Sequence, residues 1–363
     1  MSSLTPAQIE EFGRELDAIR AEVLANRGES DATYIRKVIK TQRGLEAGGR
    51  AALLLAVFPP AWVAGTAMLS LAKILENMEI GHNVLHGQWD WMRDAQINSA
   101  VWEWDTVIAS KGWKHTHNDT HHRWTNVVGK DRDVGYTLFR MSEDQRWEIG
   151  HLFGPLINVL LAPVFDWGIA LYDLEFDELR RRKKTFAQVR RDAVAFGKKV
   201  ARQSAKDFVL WPLLSGPSAL PALAGNVAAN IARNVWSHTI IFCGHFPEGV
   251  QMFTAEQVEN ETRGEWYLRQ VQGSANIEGT KLFHVLTGNL SHQIEHHLFP
   301  DLPSNRYADI APRVRVLCEK YGLHYETGRL GRQYASMWKR LIKLSVPSRA
   351  SRITEARPVP LAA

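Results

Sequence analysis

Two long uncharged stretches, each interrupted by prolines, constrain the fold of this 363-residue chain more than any other feature. The first covers the 22 residues 51–72, and Pro59 and Pro60 lie near its middle. Its length suits one membrane-spanning helix, but consecutive prolines break a helix. The sequence therefore predicts a helical hairpin that turns at the prolines, with legs over residues 44–58 and 62–80.

The second stretch repeats this pattern. It covers the 25 residues 208–232 and contains three prolines in its first half. A second hairpin is predicted there, with one leg that ends near residue 215 and another over 223–243. Two hairpins give four spans, so the predicted fold is an all-α integral membrane protein.

A basic segment determines the predicted topology. Residues 178–207 hold eleven Lys or Arg against three acids, and the positive-inside rule places such a segment in the cytosol. The third apolar stretch, Phe153–Leu174, then has cytosolic residues on both sides and is predicted to be re-entrant or interfacial. The alternative is a plain third span with the basic segment outside.

The predicted domains are cytosolic N-terminal helices over 1–43, a single membrane-plus-cap domain over 44–345 and a disordered tail over 346–363.

Charge and cysteine content exclude several classes of protein. The net charge is only +5, too small for the electrostatic footprint of a nucleic-acid-binding protein. The two cysteines, Cys243 and Cys318, are too few for a disulfide framework or an iron–sulfur cluster. No G-x-G-x-x-G motif follows a strand, so a dinucleotide-binding domain is not expected. These observations exclude nucleic-acid-binding, disulfide-stabilised, iron–sulfur and dinucleotide-binding proteins as expected classes.

Histidines form three clusters that hold eight of the 14 in the chain. Residues i and i+4 lie on one face of a helix, about 6 Å apart along its axis, which suits two ligands of one metal. One such pair arises easily by chance, and the alternative for each histidine is an ordinary buried or surface residue. Together, however, the clusters predict a metal site. They are His82 and His86; His117, His121 and His122; and His292, His296 and His297.

The number and chemistry of these side chains indicate which metal is bound. Eight imidazoles exceed the four ligands of one zinc ion, whereas two iron ions with four or five nitrogen ligands each fit the count. Soluble di-iron proteins use Glu-x-x-His motifs instead, and Glu295 and His296 do not have that spacing. A histidine-rich di-iron site at a membrane predicts activation of O2 against an inert C–H bond of a lipid.

The clusters resemble the histidine boxes of the membrane fatty acid desaturases. The likeness rests on ENMEIGHNVLHGQWDWM at 76–92, IFCGHFP at 241–247 and HQIEHHLFPDLPSNR at 292–306, and it covers about residues 30–345. The second and third boxes are similar to those of acyl-CoA desaturases, among them linoleoyl-CoA-type and bacterial stearoyl-CoA Δ9 enzymes. The resemblance implies a multi-pass protein of the cell membrane. Its four spans would lie under a cytosolic helical cap that carries two irons and the active site.

The resemblance also implies the metal ligands. His245 enters only in this way, because the family has an isolated histidine after its last span. The family places His or Gln three residues before the paired histidines of the third box. That position is Gln293, with His292 beside it, and both are candidates. The implied metal ligands are His82, His86, His117, His121, His122, His245, His292 or Gln293, His296 and His297.

Two further groups lie near the boxes. Five polar residues are expected either to orient ligand imidazoles or to be ordinary surface and capping residues: Asp119, Asp131, Asp133, Asn289 and Glu295. Five tryptophans are predicted either to line an acyl tunnel as substrate-binding residues or to form an aromatic belt at the membrane interface: Trp89, Trp91, Trp102, Trp104 and Trp113.

The reaction that the resemblance implies is a desaturation that reduces O2 by four electrons. Two electrons come from C–H bonds of a long-chain acyl-CoA or acyl-lipid. Two come from an external donor, a ferredoxin- or flavin-type reductase fed by NADPH. The product carries a cis double bond, at Δ9 by likeness to the stearoyl enzymes. Two alternatives are a di-iron fatty acid or alkane hydroxylase and a non-enzymatic membrane receptor that binds metal.

Overall fold

A computed structural model describes residues 4–175, 179, 182 and 184–347. The fold is mostly helical, as predicted, but β1 (Asn276–Glu278) and β2 (Thr327–Arg329) pair in a small parallel sheet. Strands of three residues are too short to show the alternating pattern that identifies a strand in a sequence, so the all-α prediction missed them. The longer helices are Pro6–Asn26, Glu29–Leu53, Pro59–Leu75, Phe186–Ser204, Ala219–His245, Arg263–Gln272, Tyr307–Lys320 and Leu330–Ser345. Shorter ones are Asn83–Leu85, Ser110–Trp113, His122–Trp124, Gly154–Leu161, Phe165–Tyr172, Trp211–Leu214, Lys281–Leu286 and Gln293–Leu298.

The first hairpin has the legs Glu29–Leu53 and Pro59–Leu75. Its two prolines do not form the turn. They begin the second leg, where the missing N–H of proline costs no helical hydrogen bond. The legs approach closely where Gly49 faces Gly65, since a Cβ at Gly49 would lie 3.0 Å from the Gly65 carbonyl oxygen. Small residues at this crossing let the two helix backbones pack against each other.

The second hairpin meets the first at their turns. Trp62 Nε1, in the first hairpin, donates a hydrogen bond of 2.9 Å to the carbonyl oxygen of Pro221. His82 and His245 lie toward the opposite ends of the hairpins, so the turns and the histidines are separated by the length of the legs. The first leg of the second hairpin runs through Phe186–Ser204, the π-helical Ala205–Leu210 and Trp211–Leu214, and the second leg is Ala219–His245.

One segment of the described chain, Ile149–Tyr172, is long and apolar enough by composition to cross a membrane. This is the stretch that the charge pattern predicts to be re-entrant or interfacial. A 3-10 turn interrupts its helix at Pro163, and Asp166 accepts a hydrogen bond of 2.5 Å from Arg233 in the second hairpin. The hairpin legs carry more polar residues, among them Asn226 and Arg233. The four-span topology therefore stays a prediction.

The N-terminal helices contribute to the core beneath the third histidine cluster. Phe12 and Leu16 are fully buried there against Tyr267 and Phe299. The helix Glu29–Leu53 passes residue 43, the predicted domain boundary, without a break. The N-terminal residues therefore support the segment that follows the third box.

Two predictions fall partly outside the described residues. The predicted tail is described only to residue 347, and Arg180, Arg181 and Lys183 of the basic segment are also outside. Most of the remaining basic residues lie on the helix Phe186–Ser204, where Lys198 is exposed.

Candidate metal centre

Two of the histidine clusters lie on locally widened helices. Glu76–His82 and Lys114–His121 are π-helical and continue α-helices at both ends. A π-helical turn holds more residues than an α-helical turn and is frequent at functional sites. In this arrangement Nε2 of His82 and Nε2 of His117 are 3.3 Å apart, although 35 residues separate them in the chain.

The first set of converging side chains, here called group A, consists of His82, His86, His117 and His296. One ring nitrogen of each lies within 4.8 Å of the others. Nε2 of His86 and Nε2 of His296 have no hydrogen-bond partner among the described residues. A buried nitrogen with a free lone pair costs free energy, so its presence indicates a ligand. Imidazole nitrogen suits iron, zinc, copper and nickel, and group A therefore fits a metal ion of this class.

The second set, here called group B, consists of His121, His245 and His297, all buried and again within 4.8 Å of one another. Nε2 of His121 and Nε2 of His297 lack a partner among the described residues. His122 lies between the groups, with its ring centroid 4.6 Å from that of His86 and 4.4 Å from that of His297. The arrangement offers two adjacent metal positions.

Hydrogen bonds on the far side of the rings fix the tautomers of His296 and His297. The Tyr307 hydroxyl donates its single proton to a main-chain carbonyl, so Nδ1 of His296 donates to that hydroxyl at 3.3 Å. The Thr125 hydroxyl also donates to a main-chain carbonyl, so Nδ1 of His297 donates to it at 3.1 Å. Both neutral imidazoles then direct the Nε2 lone pair into the centre, as a metal ligand must.

Two aspartates lie on the side of the His121 ring that faces away from the other group B histidines. Nδ1 of His121 donates to the Asp131 carboxylate at 3.0 Å, and an Asp133 oxygen lies 3.7 Å from the same nitrogen. Burial alone lowers the pKa of His121, but the negative charge of Asp131 and its hydrogen bond raise it above the ordinary value. Burial, followed by neighbouring imidazoles, places the pKa of His296 and of His297 well below that value. Those two rings are therefore neutral at pH 7.

Gln293 and His292, the competing candidates for one position, face different surroundings. The side-chain amide of Gln293 lies 2.9 Å from Nε2 of His245 in group B. This approach depends on Gly244, where a Cβ would lie 3.0 Å from Cγ of Gln293. His292 lies outside both groups, and its ring packs on His284 with centroids 4.5 Å apart. The fold thus brings Gln293 to the cluster and turns His292 away from it.

A partly open cavity lies beside the histidines. Its lining includes histidines from both groups, the apolar side chains of Phe165, Ile169 and Ile241, and three carboxylates, those of Asp133, Asp166 and Asp173. Trp104 and Trp113, two of the five predicted tunnel residues, belong to its wall. Trp113 also stacks on the ring of His117, with centroids 4.4 Å apart.

The other three tryptophans do not line this cavity, and their role in substrate binding stays a prediction. Trp89 is fully buried and stacks on Tyr34. Trp91 lies beneath the guanidinium of Arg27, and Trp102 lines a separate polar groove. The sequence shows that all five tryptophans follow the first box. It does not show the direction in which the loop turns each side chain.

Thr125 and Tyr307 form hydrogen bonds with Nδ1 of His297 and of His296, and neither was predicted because no local motif identifies them. Asn83 could have been suspected because it lies inside the first box. Its Oδ1 is 3.3 Å from Nδ1 of His82. Three residues expected to orient imidazoles have other partners: Asp119 lies 3.6 Å from the exposed His115, Asn289 donates to Glu79, and Glu295 accepts from Asn276 and Tyr325.

Comparison with known proteins gives consistent matches. A family model described as fatty acid desaturase matches residues 56–329, which include both histidine groups. The NADPH-dependent stearoyl-CoA 9-desaturase of Mycobacterium tuberculosis is 47% identical over 350 residues, which cover 95% of this chain and 82% of that protein. The sn-1 linoleoyl-lipid 6-desaturase of Arthrospira platensis is 23% identical over 272 residues, which cover 72% of each chain.

Proposed function

This chain belongs to the fatty acid desaturase family and is an oxidoreductase, and from this premise we propose that it introduces a double bond into a long-chain fatty acyl substrate at a di-iron centre, with O2 as co-substrate. The family recognised from the histidine boxes is confirmed by the match over residues 56–329 and by the 47% identity to the mycobacterial relative. The substrate, the metal and the electron donor are the proposed parts.

The observation that carries the proposal is the convergence of imidazole rings in groups A and B. Among the described residues, four of their Nε2 atoms have no hydrogen-bond partner, those of His86, His121, His296 and His297. Iron bound there supplies the O2 activation that hydrogen removal from an unactivated methylene requires. Thr125 and Tyr307 keep two of the rings in the ligating tautomer. We assign the ligands to His82, His86, His117, His121, His122, His245, His296 and His297, with Gln293 beside His245.

The cavity beside the histidines is the proposed site of the acyl chain. Phe165, Ile169 and Ile241 offer methylenes an apolar wall, as ligand pockets for apolar molecules do. His117 and His121 line the same cavity, so a chain bound there would lie against the cluster. An acyl chain that fills the cavity would exclude water from the reacting atoms.

The name of the mycobacterial relative supports a more specific substrate and donor. That protein is described as acting on stearoyl-CoA and as NADPH-dependent. We extend to this chain an acyl-CoA substrate, a Δ9 cis product and a ferredoxin- or flavin-type reductase fed by NADPH. Cys243 and Cys318 are both buried and too few to hold an iron–sulfur cluster, which supports a separate protein as the electron donor.

Exposed apolar side chains support a multi-pass position in the cell membrane. They concentrate at the two hairpin turns and along Ile149–Tyr172, where water would be an unfavourable neighbour. The histidines lie at the other ends of the hairpin legs, which we place on the cytosolic side because the basic helix Phe186–Ser204 belongs there. Examples are Phe58, Val63, Leu213, Leu214, Leu220, Ile149, Phe153, Leu156 and Leu160.

Expression in a host that lacks a desaturase but contains suitable reductases tests this function. We expect a cis-Δ9 monounsaturated fatty acid when total lipids are profiled and the double bond is located. His297→Ala removes a group B ligand and should abolish the product while the protein still accumulates in membranes. His115→Ala changes an exposed histidine outside both groups and should leave product formation intact.

If the products were hydroxylated instead of unsaturated fatty acids, the protein would be a hydroxylase and the proposed desaturation would be wrong. Product formation by His297→Ala at the wild-type level would reject the assigned centre. A double bond at a position other than Δ9 would be consistent with desaturation but would reject the regiochemistry that we extend from the mycobacterial relative.

A further inference from the structure

The two histidine groups differ in the hydrogen-bond partners of their Nδ1 atoms. In group A, Nδ1 of His82 faces an amide oxygen and Nδ1 of His296 faces a phenol hydroxyl. In group B, Nδ1 of His297 faces a hydroxyl, but Nδ1 of His121 faces the carboxylate of Asp131, with both oxygens at 3.0–3.1 Å. Among the described ligand rings, the close carboxylate belongs to group B alone.

Asp131 is rigidly placed for this contact. It is 3% exposed. The main-chain N–H of Asn126 donates to its Oδ2 at 2.8 Å, and the main-chain N–H of Asp133 donates to its Oδ1 at 2.9 Å. A carboxylate fixed by backbone donors cannot turn toward solvent, and burial limits the screening of its charge. Its carboxylate is therefore held against Nδ1 of His121.

Neighbouring charges do not cancel this asymmetry. Two cations lie nearby, and each has a carboxylate partner: Glu261 pairs with Arg269 at 2.7 Å, and Glu175 pairs with Arg132 at 3.3 Å. Asp133 is farther from the rings and serves both groups, since its carboxylate lies 3.7 Å from Nδ1 of His121 and 3.9 Å from Nδ1 of His117. Asp131 remains as the charge that distinguishes the two groups.

Group B is also the group with fewer imidazoles, three against four in group A. A carboxylate behind a ligating histidine makes its lone pair more basic and strengthens its bond to a metal. We propose that Asp131 is a positioning residue that group B requires to retain its metal ion and that group A does not. The inference rests on the proposed function for the identity of the ion as iron.

Metal content of the purified full-length protein tests the proposal. Loss of such a partner weakens metal affinity about 10–100-fold, so Asp131→Asn should purify with one iron per chain where the wild type has two. Tyr307→Phe is the matched control, because it removes a neutral partner of His296 in group A. This variant should retain the group B ion. The readout is iron per chain by elemental analysis, together with Co²⁺ titration of the metal-depleted protein followed by its absorption spectrum.

Combined variants identify which ion is lost. Asp131→Asn with His121→Ala should still hold one ion, because both changes act on group B. Asp131→Asn with His86→Ala should hold none, because each change empties a different group. A residue that merely supported the fold would lower both occupancies together, so this pattern separates positioning from structural support.

Two ions retained by Asp131→Asn, or equal loss from both groups, would overturn the proposal. If Asp131→Asn does not accumulate as folded protein, Asp131→Glu takes its place. The longer side chain keeps the charge but displaces it, so weaker binding of one Co²⁺ ion is expected, and unchanged binding of both would contradict the proposal. A wild-type protein that binds fewer than two ions would instead reject the di-iron centre of the proposed function.

Discussion

Gln293 and His292 are adjacent in the chain, but the backbone turns between them. The short helix of the third box begins at Gln293. His292 has φ −103 and ψ 56, outside the helical region, which directs its ring to His284. Gln293, at the first helical position, instead faces His245. At the scale of the residue, one pair of backbone angles therefore decides which of two neighbouring side chains reaches the metal centre.

Substitution of each residue tests this difference. Gln293→Ala should lose most turnover, about 10–100-fold, because it removes a polar group in contact with a proposed ligand. His292→Ala should retain most turnover and both irons, since its ring lies outside groups A and B. Turnover and iron content of the two variants provide the measurement. Loss of an iron from His292→Ala, with both kept by Gln293→Ala, would make His292 the ligand.

The helix Phe165–Tyr172 separates two apolar spaces. Phe165, Ile169 and Tyr172 line the cavity beside the histidines and also an apolar groove on the outer surface. Three neighbouring side chains thus form a thin wall. At the scale of the element, the position of this helix would limit the length of the acyl chain that we propose for the cavity.

Ile169→Phe should shift the products toward shorter acyl chains, because a larger ring occupies space at this wall. A single methylene in an apolar pocket changes selectivity by about 10–200-fold, so a shift of about 10-fold in the ratio of shorter to longer products is expected. Leu160→Phe provides the control, since this residue is exposed on the same segment and lines neither space. Equal product ratios for the two variants would show that the wall does not bound the substrate.

The two hairpins are joined by buried charges as well as by their turns. Asp207, in the second hairpin, accepts from Arg50 Nη2 at 2.7 Å and from Lys73 Nζ at 2.6 Å in the first. All three side chains are at most 3% exposed. A buried charge without its partner is strongly destabilising, so these contacts favour one arrangement of the hairpins. At the scale of the whole molecule, both turns lie together and the histidines lie away from them.

Side-specific labelling tests how this arrangement sits in a membrane. Lys198→Cys, on the exposed face of the basic helix, should react with an impermeant maleimide only from the cytosolic side. Pro217→Cys, at the second hairpin turn, should not react from that side. The native Cys243 and Cys318 are buried and give little background. Reaction of Lys198→Cys only from the outside would reject the proposed orientation and favour Ile149–Tyr172 as a third span.

The sequence by itself determined the features that local chemistry encodes. Prolines interrupt the apolar stretches, so both hairpins could be predicted, and the i, i+4 spacing of His82 and His86 predicts two side chains on one helix face. The histidine boxes identify the family because their order and local sequence are specific. His245 has no such local pattern, and only the family resemblance pointed to it before the fold brought it into group B.

Tertiary structure decided which distant side chains meet. Thr125 reaches His297 across 172 residues of chain, and no periodicity records a contact of that kind. The π-helical turns that bring His82 to His117 depend on packing, because the local sequence alone predicts ordinary helix. The same holds for Trp104 and Trp113, which line the cavity while other tryptophans of the same stretch do not. Helix spacing is a local property of the chain, whereas the direction of a side chain from a loop is set by everything that packs around it.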